Sequence, residues 1–261
     1  PSGAFNLWNL DGGEHWFGSI PDCQFALWEQ QGEDVRAHAL ATAPDRDDTD
    51  PSGGTPLSAW QWYPASTQGR STGTYAARYP LSWTHHEDVY RAGVLCEAFS
   101  PILPGDYQRT SYPVAVFRWQ FSNPTDQSLE LSLLLCWRNT VGWFTNTDAS
   151  AEVHFRDDGS PEHNYAPAIG RGEGQRNRQV DQPGLSGVLL EGQSSMPLAE
   201  GEGQWCLALP DDLDGVQVMR CSRWDPSGDG SELWTPFSAD GRIPDLSLIH
   251  ISEPTRPTRI A

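Results

Sequence analysis

From Ala115 to Trp137 apolar and polar positions alternate with a period of two. Ala115, Phe117, Trp119 and Phe121 fall on one face of an extended segment, and Leu129, Leu131, Leu133, Leu135 and Trp137 on one face of the next. Two long strands are predicted. Between them Asn123-Pro124-Thr125-Asp126 supplies turn chemistry, because proline presets its own φ and the Asn and Asp side chains bond nearby backbone groups. The expectation is an antiparallel hairpin. Upstream, Gly93 to Phe99 reads as a further strand, and Ser100 to Tyr107 (SPILPGDY) breaks it. Pro101 and Pro104 remove two backbone donors and fix two φ angles, so a rigid, shaped loop follows.

The same rhythm recurs at both ends of the chain. Between Pro1 and Gln31, Cys23, Phe25 and Leu27 alternate with Gln24, Ala26 and Trp28 after a start rich in aromatics and glycine, and two short strands about a Gly-rich turn are predicted there. From Ser186, the runs Val188-Leu189-Leu190, Trp205 to Leu209 and Val216 to Cys221 are separated by Gly-, Asp- and Pro-rich turns at the spacing of a β-sandwich. Ser231 to Phe237 reads as a short helix or turn, and no amphipathic pattern of helical period reaches about twelve residues. Ala41 to Thr55 and Ala151 to Gly184 lack apolar alternation and read as surface loops. The class is all-β.

One stretch also carries a family signal. Ser100 to Asn139, SPILPGDYQRTSYPVAVFRWQFSNPTDQSLELSLLLCWRN, resembles the N-terminal domain of the bile-acid β-glucosidase or non-lysosomal glucosylceramidase family, glycoside hydrolase family 116. Phe25 to Glu29, the cluster Trp60-Gln61-Trp62 and the run Ala77 to Trp83 match that family in order, and the resemblance covers roughly residues 5 to 245. It implies an antiparallel, supersandwich-like β-sandwich missing its terminal strands, as residues 1–245, which would leave open sheet edges. Residues 246–261 (LSLIHISEPTRPTRIA) look like adaptor-derived read-through, and an extended, poorly packed tail is expected there.

The resemblance places the chemistry elsewhere. A retaining glycosidase uses two carboxyl groups about 5 Å apart, and in this family both come from a C-terminal helical (α/α)6 domain. That domain of the same parent chain is the implied partner, and a β-glucoside is the parent's implied substrate. No catalytic residue, cofactor or metal is expected here. Pro101, Pro104, Asp106 and Tyr107 are the candidate cleft-rim or domain-interface loop, because a stiff loop loses little entropy on docking; internal packing is the alternative for those prolines. An independent carbohydrate-binding module and a purely structural packing domain are the rival functions.

Charge narrows the partners further. With 261 residues the net charge is −18, and all seventeen basic residues are Arg. Such a surface repels phosphate backbones and anionic headgroups, so no nucleic-acid or membrane-surface role is expected. Five cysteines, at 23, 96, 136, 206 and 221, form no Cys-x-x-Cys pair and sit mostly in apolar runs, which fits a reducing compartment. With no transmembrane run and no signal peptide after Pro1, the reading is cytoplasmic and soluble.

Other motifs carry less. Asp45, Asp47, Asp48 and Asp50 suggest calcium but depart from the EF-hand spacing. His85 and His86 are adjacent, so in a strand they point to opposite faces and chelate poorly. Gly170-Arg171-Gly172-Glu173-Gly174 fits neither phosphate-loop fingerprint. No Gly-x-Ser-x-Gly elbow is present, and the cysteines show no electropositive setting that would make a nucleophile. The aromatics of Trp60 to Tyr90 serve either as core or as a sugar-stacking platform.

Overall fold

The computed structural model describes residues 5–9, 16–19, 22–41, 57–64, 73–141, 154–155, 157–159, 161–162, 175–192, 203–225, 228–244 and 259–260. The first hairpin joins β1 (Asn6–Asn9) to β2 (Trp16–Ser19), on either side of Gly12-Gly13. A second joins β3 (Gln24–Gln31) to β4 (Asp34–Ala39). Gly32 opens its two-residue turn at a φ of 60°, a left-handed conformation that matches the twist of the flanking strands.

β5 (Gly73–Arg78), β6 (Leu81–His86), β7 (Gly93–Phe99) and β8 (Val116–Ser122) make a four-stranded antiparallel meander, with the short helix α1 (Tyr107–Thr110) between β7 and β8. β9 (Glu130–Cys136) then leaves that sheet. The expected β8–β9 hairpin is not formed: β8 pairs with β7 and β9 with β3, in two different sheets. The turn chemistry is present but bends the chain around a corner. Asn123 Oδ1 accepts from the Thr125 N–H at 3.0 Å, its Nδ2 donates to the Gln127 carbonyl at 2.7 Å, and Gln31 Nε2 anchors Thr125 Oγ1 at 3.0 Å. The two apolar faces therefore meet across the core instead of lying side by side.

That meeting makes the sandwich. Leu27, Tyr63, Tyr90 and Val94 are buried between the four-stranded sheet and β3, with Phe25, Trp119, Leu131 and Leu133 packed on them. Phe25 lies edge-on to Trp119 at 4.9 Å and to Phe117 at 5.3 Å. β9 is covered on its other face too, which explains why Leu134 and Cys136 interrupt the alternation with further buried apolar groups.

A smaller hairpin, β10 (His154–Phe155) with β11 (Pro161–Glu162), precedes a three-stranded sheet of β12 (Arg176–Gln182), β13 (Leu185–Glu191) and β14 (Gln204–Pro210). This sheet is attached through Val141, Val188 and Leu190, with Trp137 packed against them. Arg138 and Asn139, which follow β9, act as the clip. Arg138 Nη1 donates to buried Asp22 at 3.2 Å, and Asn139 Nδ2 donates to the Glu191 carbonyl at 3.0 Å.

β15 (Arg220–Cys221), α2 (Ser231–Asp240) and β16 (Arg259–Ile260) complete the described chain, and the five-stranded sheet runs β15-β16-β9-β3-β4. The short helix expected at Ser231 extends to Asp240. Leu233, Trp234 and Phe237 of α2 pack with Trp28, Trp60 and Trp224 on the far face of that sheet, and Trp60 stacks on Trp234 at 5.0 Å. Each fully buried side chain of this size contributes about 1.5–3 kcal/mol. Gly241 ends the helix at a φ of 70°, where an added Cβ would lie 2.7 Å from the Trp28 ring. Of the tail, β16 is described as extended backbone beside β9. Residues 246–258, Asp45 to Asp50 and Gly170 to Gly174 lie outside the described residues.

Candidate functional site

The register of the four-stranded sheet brings two distant segments to one end. Arg78 lies opposite Leu81, Leu81 opposite Phe99, and Phe99 opposite Val116. The Tyr79-Pro80 turn and the connection 100–115 therefore emerge together. Tyr79 is 84%, Tyr107 85% and Tyr112 58% exposed, with Leu103 and Val114 also out in solvent. Apolar area exposed contiguously in this way is the kind of surface that interaction sites present.

The connection is braced at three levels by its own hydrogen bonds. At its base Ser100 Oγ donates to the Val114 carbonyl. In the middle Thr110 Oγ1 accepts from the Leu103 N–H at 2.9 Å and donates to its carbonyl at 3.1 Å. At the tip Asp106 caps α1, accepting from the Arg109 N–H at 2.9 Å and from Arg109 Nε at 2.6 Å. Gly105 takes a φ of 78° to let the chain enter that cap.

The four loop residues singled out from sequence thus divide. Asp106 is turned inward as the cap, Pro101 is half-buried, and Pro104 and Tyr107 are exposed. Sequence reasoning missed Tyr79 and Tyr112, which join Tyr107 only through the strand register.

The exposed end continues onto the outer face of the sheet. Leu81, Trp83, Phe99 and Val116 share that face and are only half-buried, where a solvated face of an antiparallel sheet carries polar residues. Trp83 Nε1 donates to Glu97 at 3.0 Å, and Arg118 pairs with the same carboxylate at 3.0 Å while lying 5.9 Å from the Phe99 ring centre. Tyrosine, tryptophan and arginine around a rigid loop is the composition of a protein-binding hot spot.

Elsewhere ionisable groups, buried and exposed, act as fasteners. Glu29 is fully buried and accepts from the backbone N–H groups of Arg91 and Ala92 at 3.0 and 2.8 Å, tying β3 to the start of β7. Asp34 binds Arg91 and Arg36, and the Arg91 guanidinium holds its carboxyl below the usual value. Burial pushes the Cys23 thiol well up and the Cys96 thiol up to about 12, so both stay protonated rather than nucleophilic.

The two adjacent histidines point apart. His85 is exposed, whereas His86 turns inward, stacked 6.0 Å from Trp119 and edge-on to Tyr63 at 5.2 Å. Burial, aided by the charge of His85, lowers the His86 pKa to about 4. His38 packs on the same Tyr63 and on Tyr90, and burial lowers its pKa as well. Of the aromatics from Trp60 to Tyr90, then, Trp60, Tyr63 and Tyr90 are core, and Tyr75 and Tyr79 are surface.

With this geometry in place, comparison with known families gives one match. The model of the family described as "beta-glucosidase 2, glycosyl-hydrolase family 116 N-term" matches residues 1–261, a span that includes the tail from Leu246.

Proposed function

We propose that this chain, which belongs to the glycosyl-hydrolase family 116 N-terminal domain family, is the non-catalytic supporting domain of a retaining β-glucosidase. It docks on a helical (α/α)6 catalytic domain through the tyrosine-bearing end and outer face of the four-stranded sheet. The α1 loop reaches the rim of the sugar cleft. The observation that carries this reading is the placement of Tyr79, Tyr107 and Tyr112 beside half-buried Leu81, Trp83, Phe99 and Val116 on one continuous surface. The braced loop supports it, because a loop already ordered in the free chain loses little on association.

The parent's substrates are β-linked glucosides, with glucosylated lipids or sterol-like aglycones as the class the resemblance implies. A cytoplasmic location is part of the same reading, supported by five free cysteines. Among the described residues, no helix is long and apolar enough to cross a membrane.

Two assays test the proposal. The purified chain is expected to hydrolyse an aryl β-glucoside no faster than a mock preparation; turnover above that level sinks the non-catalytic assignment. In a pull-down with the separately produced catalytic domain, Tyr79→Ala with Tyr107→Ala is expected to weaken capture about tenfold or more, as loss of hot-spot aromatics does. Unchanged capture places the interface elsewhere.

The exposure of Tyr79 and Tyr107 also favours a second reading, a carbohydrate-binding module that stacks sugar rings on those faces. A cello-oligosaccharide titration separates the two: saturable binding lost in Tyr107→Ala supports the module, and a flat titration removes it.

A further inference from the structure

The outer face of the three-stranded sheet holds a charge group that neither the core nor the docking surface uses. Arg176 and Arg178 are alternate residues of β12, so their side chains leave the same face, with Arg176 opposite Glu191 and Arg178 opposite Leu189 on β13. Both guanidiniums donate through Nε to one oxygen, Glu191 Oε2, at 3.1 Å each. Gln204 Nε2, from β14, donates to Oε1 of the same carboxylate at 3.0 Å. Glu191 is thereby covered, with 7% of its side chain exposed, while Arg176 keeps 73% and Arg178 56%.

Among the described residues, one carboxylate balances two cations here. Val180, Gly187, Leu189 and Cys206 share this face by register and bring no second acid. Asp181 belongs to the opposite face, where it takes Arg220 at 2.8 Å. Each guanidinium uses its Nε–H on Glu191, and among the described residues no acceptor meets the Nη groups of either.

We propose that Arg176 and Arg178 form a clamp for a phosphate or sulfate group, with Glu191 holding the two guanidiniums side by side. Shared attachment to one oxygen keeps two like charges together, and the single carboxylate offsets only one of them. A doubly charged tetrahedral anion relieves the remaining repulsion. The Nη pairs suit such an anion because a guanidinium meets oxyanions through two parallel N–H bonds, a fork that lysine lacks. Since Glu191, itself held by Gln204, already engages both arginines, little side-chain entropy is lost on binding. In a chain of net charge −18, the surplus also makes this face a local attractor for anions.

The test is a thermal-shift and calorimetric titration of the full chain with inorganic phosphate, with sodium chloride matched for ionic strength. Glycerol 3-phosphate is run as a second arm, to separate a free anion from a phosphate monoester. Saturable binding of phosphate that chloride does not reproduce is expected, weakened about tenfold or more in Arg176→Gln and in Arg178→Gln. Both variants alter exposed side chains, and circular dichroism checks that they fold. Binding in both arms identifies a phosphate-monoester ligand, and binding of inorganic phosphate alone a free anion. No saturable shift, an equal shift in chloride, or full binding retained by the double variant Arg176→Gln/Arg178→Gln overturns the clamp.

Discussion

His86 shows how one side chain couples the sandwich to pH. It is held neutral between Trp119 and Tyr63, with its pKa lowered to about 4 from an ordinary value of 6.5. The unfolded chain therefore binds this proton more readily than the folded one. The stabilisation is fully present above pH 6.5 and is lost as pH falls toward 4, a change of about 3 kcal/mol. His38 adds to the slope in the same direction. Melting temperature measured from pH 7 to pH 4 should fall more steeply for the native chain than for His86→Phe, which keeps the stacking and removes the proton site; parallel curves would show that His86 does not govern the slope. Glu29 makes a comparable case through its hydrogen bonds. Glu29→Ala leaves the Arg91 and Ala92 N–H groups without their acceptor inside the sandwich, and urea denaturation should record a loss of about 3–5 kcal/mol. A loss below about 1 kcal/mol would mean that water replaces the carboxylate.

Among the elements, β7, β8 and β9 were legible because their side chains alternate over enough residues to fix which face is apolar. What alternation does not encode is whether two such strands lie side by side or face to face. The Asn123 turn is compatible with both, and what selects the corner is long-range: β9 pairs with β3, and Gln31 at the end of β3 reaches Thr125, contacts between residues far apart in sequence. Helix α1 was hidden for a different reason. Two prolines announce a break at Ser100, but four helical residues depend on Asp106 as cap and on Thr110 closing back to Leu103. Asp106→Ala should therefore cost about 1 kcal/mol in chemical denaturation, whereas Tyr107→Ala, altering a fully displayed ring, should stay within about 0.5 kcal/mol of the native chain. Similar losses for both would contradict the division of the loop into a brace and a displayed surface. The loop itself was identified from Pro101, Pro104, Asp106 and Tyr107, but Tyr79 and Tyr112 were not. Their neighbourhood follows from the register of β5 through β8, which no local pattern specifies.

For the molecule as a whole, three layers share the burial. α2 covers one face of the five-stranded sheet, the four-stranded sheet covers the other, and the outer face of that four-stranded sheet is left half-covered at its tyrosine end. Within the described residues Glu29, Asp34 and Glu191 are all engaged by arginines or backbone donors and so act as fasteners of the fold. The most direct measurement is hydroxyl-radical footprinting of Tyr79, Tyr107 and Tyr112 in this chain alone and within a parent that carries the helical domain. The docking reading predicts rapid modification of all three in the isolated chain and strong protection in the parent, with no change at Trp205, the exposed tryptophan of the three-stranded sheet. Equal modification of the three tyrosines in both forms would contradict it.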